Sequence, residues 1–232
     1  WESLLTIAEE TADVDALIFV GLPMRMNGKL YNVAAALNHG NILGFVPKTH
    51  IPNYNEFYEQ RHFASGMDVW TEVTVGEESV PFASNLIFSC EGLPELTVGA
   101  EICEDLWVPL PPSVNLAQGG AHIIVNLSAS DEMVGKDSYR RDLVKGQSAR
   151  LVCGYIYATA GEGESSQDLV FGGQNLIAEN GTMLAEAKRF QNTVIYGEID
   201  VQRLADERRR LSTYPASDDA DCQIVPFDVE VE

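Results

Sequence analysis

Cys103 closes an apolar run, Leu96 to Cys103, and is followed at once by Glu104, Asp105, Leu106, Trp107 and a cluster of prolines. A thiol at the end of a buried strand, on a sharp turn, has the geometry of a nucleophile elbow. The competing reading is a buried structural cysteine, the commoner fate of a lone thiol. Glu101 has the strand parity of Cys103 and is expected on the same face. Glu104 and Asp105 read as acceptors for backbone or substrate amine groups.

Lys48 follows the apolar run Ile42–Val46 and opens a long polar and aromatic stretch, Pro47 to Asp68. Taken alone it is a solvated residue at a strand end. Held beside a thiolate, it would lower the thiol pKa and stabilise a developing oxyanion. Asn126-Leu-Ser-Ala-Ser130 leaves another apolar run, with Lys136 beyond it. Ser and Lys there are ordinary turn residues unless Cys103 is reactive. His39, His50, His62 and His122 have neither metal-ligand nor Ser/His/Asp spacing, and His122 reads as structural. Gly161-Glu-Gly-Glu-Ser-Ser166 lacks the lysine of a phosphate loop.

These residues need rigid supports. Trp1, Leu4, Leu5 and Ala8 recur at helical spacing, predicting a helix that ends near Thr11–Asp13. A buried strand follows at Ala16–Gly21. Asn27-Gly28 and the His39-Gly40-Asn41 turn separate it from Leu30–Leu37 and Ile42–Val46, giving strand, turn, strand, turn, strand. Residues 47–68 are a loop too long for a mere connection, as functional loops are. Strands are expected at Glu72–Val75, Leu86–Cys90, Leu96–Cys103 and His122–Asn126. The prolines at 109–112 cap a helix running to about Gln118. Tyr139–Leu151 reads as an amphipathic helix. Cys153–Ala158, Gln174–Ala178, Thr182–Glu186 and Thr193–Asp200 read as strands, and Val201–Leu211 as a last helix. Hairpins mixed with strand–helix–strand crossovers predict a layered α/β sandwich with mixed sheets.

Composition excludes other classes. The 232 residues carry 15 Lys+Arg against 35 Asp+Glu, a formal charge of −20, which would repel a nucleic-acid polyanion. The longest apolar runs, such as Ala16–Leu22, are far short of the roughly 20 residues of a spanning helix. Four scattered cysteines, Cys90, Cys103, Cys153 and Cys222, make neither a disulfide scaffold nor a zinc site, which favours a reducing cytoplasm. The chain opens on Trp1 in mid-pattern and reads as a fragment. Residues 211–232 carry six acids and no base and read as a linker or tail.

Several segments together resemble the nitrilase-type carbon–nitrogen hydrolases, and among them the glutaminase domains of glutamine-dependent NAD synthetases. They are Pro47-Lys48-Thr49 through Phe57-Tyr58-Glu59, Glu101-Ile-Cys-Glu-Asp-Leu-Trp107, Asn126–Ser130, Ser138–Arg141, Gln147–Arg150 and Gly163–Ser166. The resemblance spans essentially the whole chain. It implies an α-β-β-α sandwich and a Glu–Lys–Cys triad. By resemblance Cys103 is the nucleophile on a glutamine side-chain amide. Lys48 then holds the oxyanion together with the Glu104 backbone N–H. Glu56 matches a second glutamate that orients the lysine and the leaving ammonia. Tyr54, Glu104, Ser130 and Lys136 match the glutamine pocket, with Glu104 for the α-ammonium and Lys136 for the α-carboxylate.

The resemblance also implies pieces outside these residues. The general-base glutamate would lie on a strand before Trp1, so the sandwich is expected to lack its first strand or strands. Residues 1–210 would be the truncated hydrolase domain and 211–232 an acidic linker toward an absent synthetase domain of the same chain. ATP, Mg and deamido-NAD would bind there, with no cofactor in this domain. A homo-oligomer is expected, with no nucleic-acid or membrane partner. The piece alone is expected to be inactive and poorly soluble. Two other readings remain: a free-standing amidase acting on another amide, and a catalytically silent scaffold.

Overall fold

Glycine and asparagine dictate the first hairpins. Asn27 and Gly28 have φ of 49° and 77°, and His39 and Gly40 have 46° and 81°. Two consecutive left-handed residues are what a tight two-residue hairpin needs. They join β1 (Ile18–Met26) to β2 (Lys29–Asn38), and β2 to β3 (Asn41–Pro47). The computed structural model describes residues 1–164, 168–215 and 221–231.

After the 48–69 loop come β4 (Trp70–Val75), β5 (Glu78–Ala83), β6 (Leu86–Cys90) and β7 (Thr97–Ile102). A 3-10 turn, Cys103–Leu106, leads to α2 (Pro112–Gln118), β8 (Ile123–Ser128), α3 (Lys136–Leu151) and β9 (Gly154–Thr159). The chain ends with β10 (Leu176–Glu179), β11 (Thr182–Glu186), α4 (Val201–Arg210) and β12 (Gln223–Phe227). The first helix, α1, is Glu2–Glu10.

The strands form two mixed sheets. One has the order β1-β2-β3-β5-β4 and the other β11-β10-β9-β8-β7-β6-β12. Side-chain alternation along β2 explains the layering, because successive residues point to opposite faces. Ala34 and Ala36 face the second sheet, in a core with Leu86, Phe88, Ala100 and Ile102. Val33, Ala35 and Leu37 face outward and pack with Leu4 and Ala8 of α1. On the far side, Leu116 and Ala117 of α2 and Val144 and Leu151 of α3 cover Ile124, Tyr155 and Leu176. The layers run helix, sheet, sheet, helix, as expected.

Three expectations need correction. Thr193–Asp200 is not a strand. Gly197 packs on Ile177 and Ile199 on Gly154, but the segment joins neither sheet's ladder among the described residues. Residues 211–232 are not all linker, because β12 pairs in parallel with β6 from Gln223↔Leu86 to Phe227↔Cys90. β5 was not anticipated; its charged start, Glu77-Glu78, hid a strand whose Val80 and Phe82 are buried. Among the described residues, no helix is long and apolar enough to cross a membrane. Ser165 and Ser166 of the Gly-rich segment lie outside the described residues.

Candidate active site

The site forms where the two sheets meet, beyond the carboxyl ends of the parallel strands β7 and β8, a common place for reacting groups in α/β sheets. Cys103 follows β7 directly and has φ of 47°. A non-glycine residue there carries strain that its surroundings must hold. Asn126 of β8 does part of this by accepting the Cys103 N–H at 3.0 Å, and it also accepts the Ser128 hydroxyl at 2.8 Å.

Lys48 comes from the other sheet. Its N–H extends the β2–β3 ladder to Asn32 O (2.8 Å), and its carbonyl accepts from Gly66 N (2.8 Å). Gly66 leaves no room for a side chain, since a Cβ would stand 2.5 Å from Pro47 Cβ. The side chain is almost fully buried, at 1% exposure, so its charge needs a partner. That partner is Glu59, whose carboxylate oxygens lie 2.9 and 2.7 Å from Nζ.

The thiol is raised above its ordinary pKa by burial, while the nearby Lys48 ammonium, the Ala129 N–H and Ser128 pull it down and Glu59 pushes it up. Glu104, next in sequence, is also raised by burial, against the pull of a 2.8 Å hydrogen bond from the Tyr54 hydroxyl and the charge of Lys48. Lys136 opens α3, pairs with Asp131, and lies 5.2 and 5.6 Å from the ring centres of Trp107 and Phe57. Ser130 is buried and accepts from Arg140 Nη2 at 3.3 Å.

The fold thus gathers Cys103, Lys48, Tyr54, Glu104, Ser130 and Lys136 on the loops around one edge. Glu56 does not take the place expected of it. Asn55 has φ of 48°, the chain closes a turn from Phe57 N to Tyr54 O (2.9 Å), and a 3-10 turn starts at Glu59. Glu59, not Glu56, therefore reaches back to Lys48. Glu101 also departs from expectation. The left-handed step at Cys103 ends the strand parity, and Glu101 faces the helix layer, bonded by the Tyr155 hydroxyl and by Ser113 N at 2.8 Å. Its burial pushes its carboxyl up to about 7.

Sequence reasoning missed the roles of Glu59 and Arg140, and of Phe57 and Trp107, whose rings each lie near Lys136. Arg140 is fully buried and donates to Glu132, Gln174, Ser130 and the Asp131 carbonyl. Its only signal was its place in Ser138–Arg141. Among the described residues, no three His, Cys, Asp or Glu side chains gather as a metal site.

A strained thiol, a buried ammonium and flanking carboxylates suit acyl transfer from an amide. A family model for carbon-nitrogen hydrolases matches residues 1–209. The chain belongs to the carbon-nitrogen hydrolase family. It is 40% identical over 215 residues to the glutamine-dependent NAD(+) synthetase of Mycobacterium bovis, covering 92% of this chain and 32% of that protein. A crystal structure of a glutamine-dependent NAD(+) synthetase from Cytophaga hutchinsonii superposes with a TM-score of 0.70 at 30% identity, covering 81% of this chain and 30% of that one. A carbon-nitrogen hydrolase from Helicobacter pylori G27 has the same fold, with a TM-score of 0.70 at 20% identity over 90% of this chain and 70% of that one. The chain spans about a third of the length of its curated synthetase relatives.

Proposed function

We propose that this carbon-nitrogen hydrolase domain releases ammonia from the side-chain amide of glutamine and supplies it to a synthetase domain of the same protein, which amidates deamido-NAD using ATP and Mg. The observation that carries the chemistry is the buried Lys48 ammonium, held by Glu59, whose charge opposes the burial that raises the Cys103 thiol in its left-handed elbow. The similarity to synthetases over 92% of the chain supports the choice of glutamine and of the partner domain.

In this reading the Cys103 sulfur attacks the amide carbon, and the carbonyl electron pair moves onto oxygen. The Cys103 N–H is bonded to Asn126. By the resemblance, the oxyanion donors are Lys48 Nζ and the Glu104 N–H. Collapse breaks the C–N bond, and the nitrogen leaves as ammonia with the proton taken from the thiol. The resemblance assigns that proton transfer to a general-base glutamate. Water then attacks the thioester, releasing glutamate and the thiol. Glu104, steadied by Tyr54, would receive the α-ammonium, and Lys136 the α-carboxylate, sharing its charge with Asp131. Ser130, fixed by Arg140, would close the same pocket. Glu59 takes over the lysine-orienting role first given to Glu56. Four free cysteines among the described residues support a reducing, cytoplasmic setting.

The test uses the full-length protein. Cys103→Ala should abolish glutamine-dependent ammonia release and leave ammonia-driven NAD synthesis intact. A glutamine-mimicking diazo-ketone should label Cys103. Glutamine turnover that survives Cys103→Ala would sink the reading. Turnover of other amides in place of glutamine would favour a free-standing amidase, and an unreactive thiol a silent scaffold.

A further inference from the structure

Asp105 is buried two residues after Cys103 and has no place in the chemistry just described. Its carboxylate gathers four hydrogen bonds. Oδ1 accepts the His50 N–H at 2.7 Å and faces His50 Nδ1 at 2.9 Å. Oδ2 accepts the Thr49 N–H at 3.3 Å and the Ile102 N–H at 3.0 Å. Three of the four come from the two residues that follow Lys48. The fourth comes from the residue before Cys103.

These donors belong to different sheets. Lys48, Thr49 and His50 leave the end of β3, and Ile102 ends β7. No strand pairing ties β3 to β7, because they lie in separate sheets. A buried carboxylate receiving several N–H groups is a strong, directional tie, since charge-assisted bonds are shorter and stronger than neutral ones. Burial also keeps water from competing for it.

We propose that Asp105 is a positioning residue that fastens the Lys48 loop to the Cys103 turn and so sets the lysine against the thiol. This rests on the reading of Cys103 and Lys48 above and adds to it a determinant of their spacing. His50 contributes the outermost of the four bonds, its side chain 27% exposed at the rim. Its imidazole is held above its usual pKa first by the hydrogen bond to Asp105, against the opposing effect of burial. The tie matters because reacting groups displaced by about 1 Å can lose on the order of 10² in rate.

Asp105→Asn is the informative change. The amide keeps the size of the carboxylate but turns an NH₂ toward N–H donors, so at least one side of the tie is lost. The experiment measures iodoacetamide modification of Cys103 against pH in the full-length protein, reading the Cys103 peptide by mass spectrometry. Asp105→Asn should move the profile to higher pH and slow modification at pH 7 about tenfold, because the thiolate is the reactive form. The kcat for glutamine should fall about 10²-fold with KM nearly unchanged. In a Lys48→Met background the same change should shift the profile no further, since coupled groups are not additive. His50→Gln, at the rim, should fold normally and move the profile the same way by less.

A folded Asp105→Asn protein that melts earlier but keeps the wild-type profile and kcat would reduce Asp105 to a stability role and overturn the proposal. If Asp105→Asn does not fold, an unmoved profile in His50→Gln overturns it equally. Failure of the glutaminase reading is a separate result, seen as turnover in Cys103→Ala. The alkylation profile tests the tie without any turnover of glutamine.

Discussion

The Lys48 ammonium is buried and clamped between the two carboxylate oxygens of Glu59, at 2.9 and 2.7 Å. The pair joins the end of β3 to a 3-10 turn eleven residues on. A buried cation needs such a partner. The pair therefore fixes where the Lys48 side chain points.

Glu59→Gln is expected to cost far more than Glu56→Gln. Losing the carboxylate leaves a buried charge half-satisfied, which costs on the order of 2 kcal/mol or more. The kcat for glutamine should fall by about 10² or more with the loss of preorganised charge. Glu56→Gln should stay within a few-fold of wild type. Steady-state kinetics and urea denaturation of both variants check this. Equal losses would return the role to Glu56.

In the proposed mechanism Lys48→Met removes a donor to the oxyanion, together with the ammonium whose charge opposes the rise of the Cys103 pKa on burial. Loss of one such donor typically costs about 10²–10³ in rate. The variant should lose at least that in glutamine turnover while its circular dichroism is unchanged. A drop of only a few-fold would make Lys48 a structural residue.

Thiol reactivity should single out Cys103. Burial pushes Cys153 up to about 12 and Cys222 up to about 11. At Cys153 burial prevails although the Arg208 charge pulls the other way. Limiting iodoacetamide at pH 7.5 should therefore modify Cys103 first, as read by peptide mass spectrometry, and Cys90, Cys153 and Cys222 should be replaceable by Ala or Ser with turnover retained. Earlier modification of Cys153 or Cys222 would contradict this.

Glu101 should make stability depend on pH. Burial raises its carboxyl from 4.5 to about 7. A raised folded-state value means that the native protein holds the proton longer than the unfolded chain. Its contribution is complete below about pH 4.5 and is lost as pH rises to about 7, by up to roughly 3 kcal/mol. Glu101→Gln mimics the protonated form and can still bond Tyr155 and the Ser113 N–H. Urea denaturation at pH 5, 6, 7 and 8 should show the wild type losing stability relative to Glu101→Gln across that window. Parallel curves would refute the shift.

Much of this molecule is legible in the residue string. The hairpins at Asn27-Gly28, His39-Gly40 and Asn180-Gly181 follow from residues that tolerate left-handed backbone, and all six have positive φ. The unbroken apolar run Val33–Leu37 in β2 is the pattern of a strand buried on both faces. The strand-end cysteine, the lysine after β3 and the Asn126–Ser130 exit mark one edge of the fold, because each depends only on local period and turn chemistry. What tertiary structure alone decided was partnership. Glu59 displaced Glu56 because a left-handed Asn55 and a 3-10 turn shift the chain by three residues. Glu101 turned away from Cys103 because φ of 47° at the cysteine breaks the two-residue alternation that the parity argument assumed. The acid-rich end became β12 because β6 offered an unpaired edge, a fact about a strand more than a hundred residues away. Asp105, already bonded to the Ile102 N–H within its own turn, took up the N–H groups of Thr49 and His50 only once two sheets had stacked. Spacing encodes the period of an element; the partner of a buried charge is chosen by whichever distant backbone the packing brings within reach.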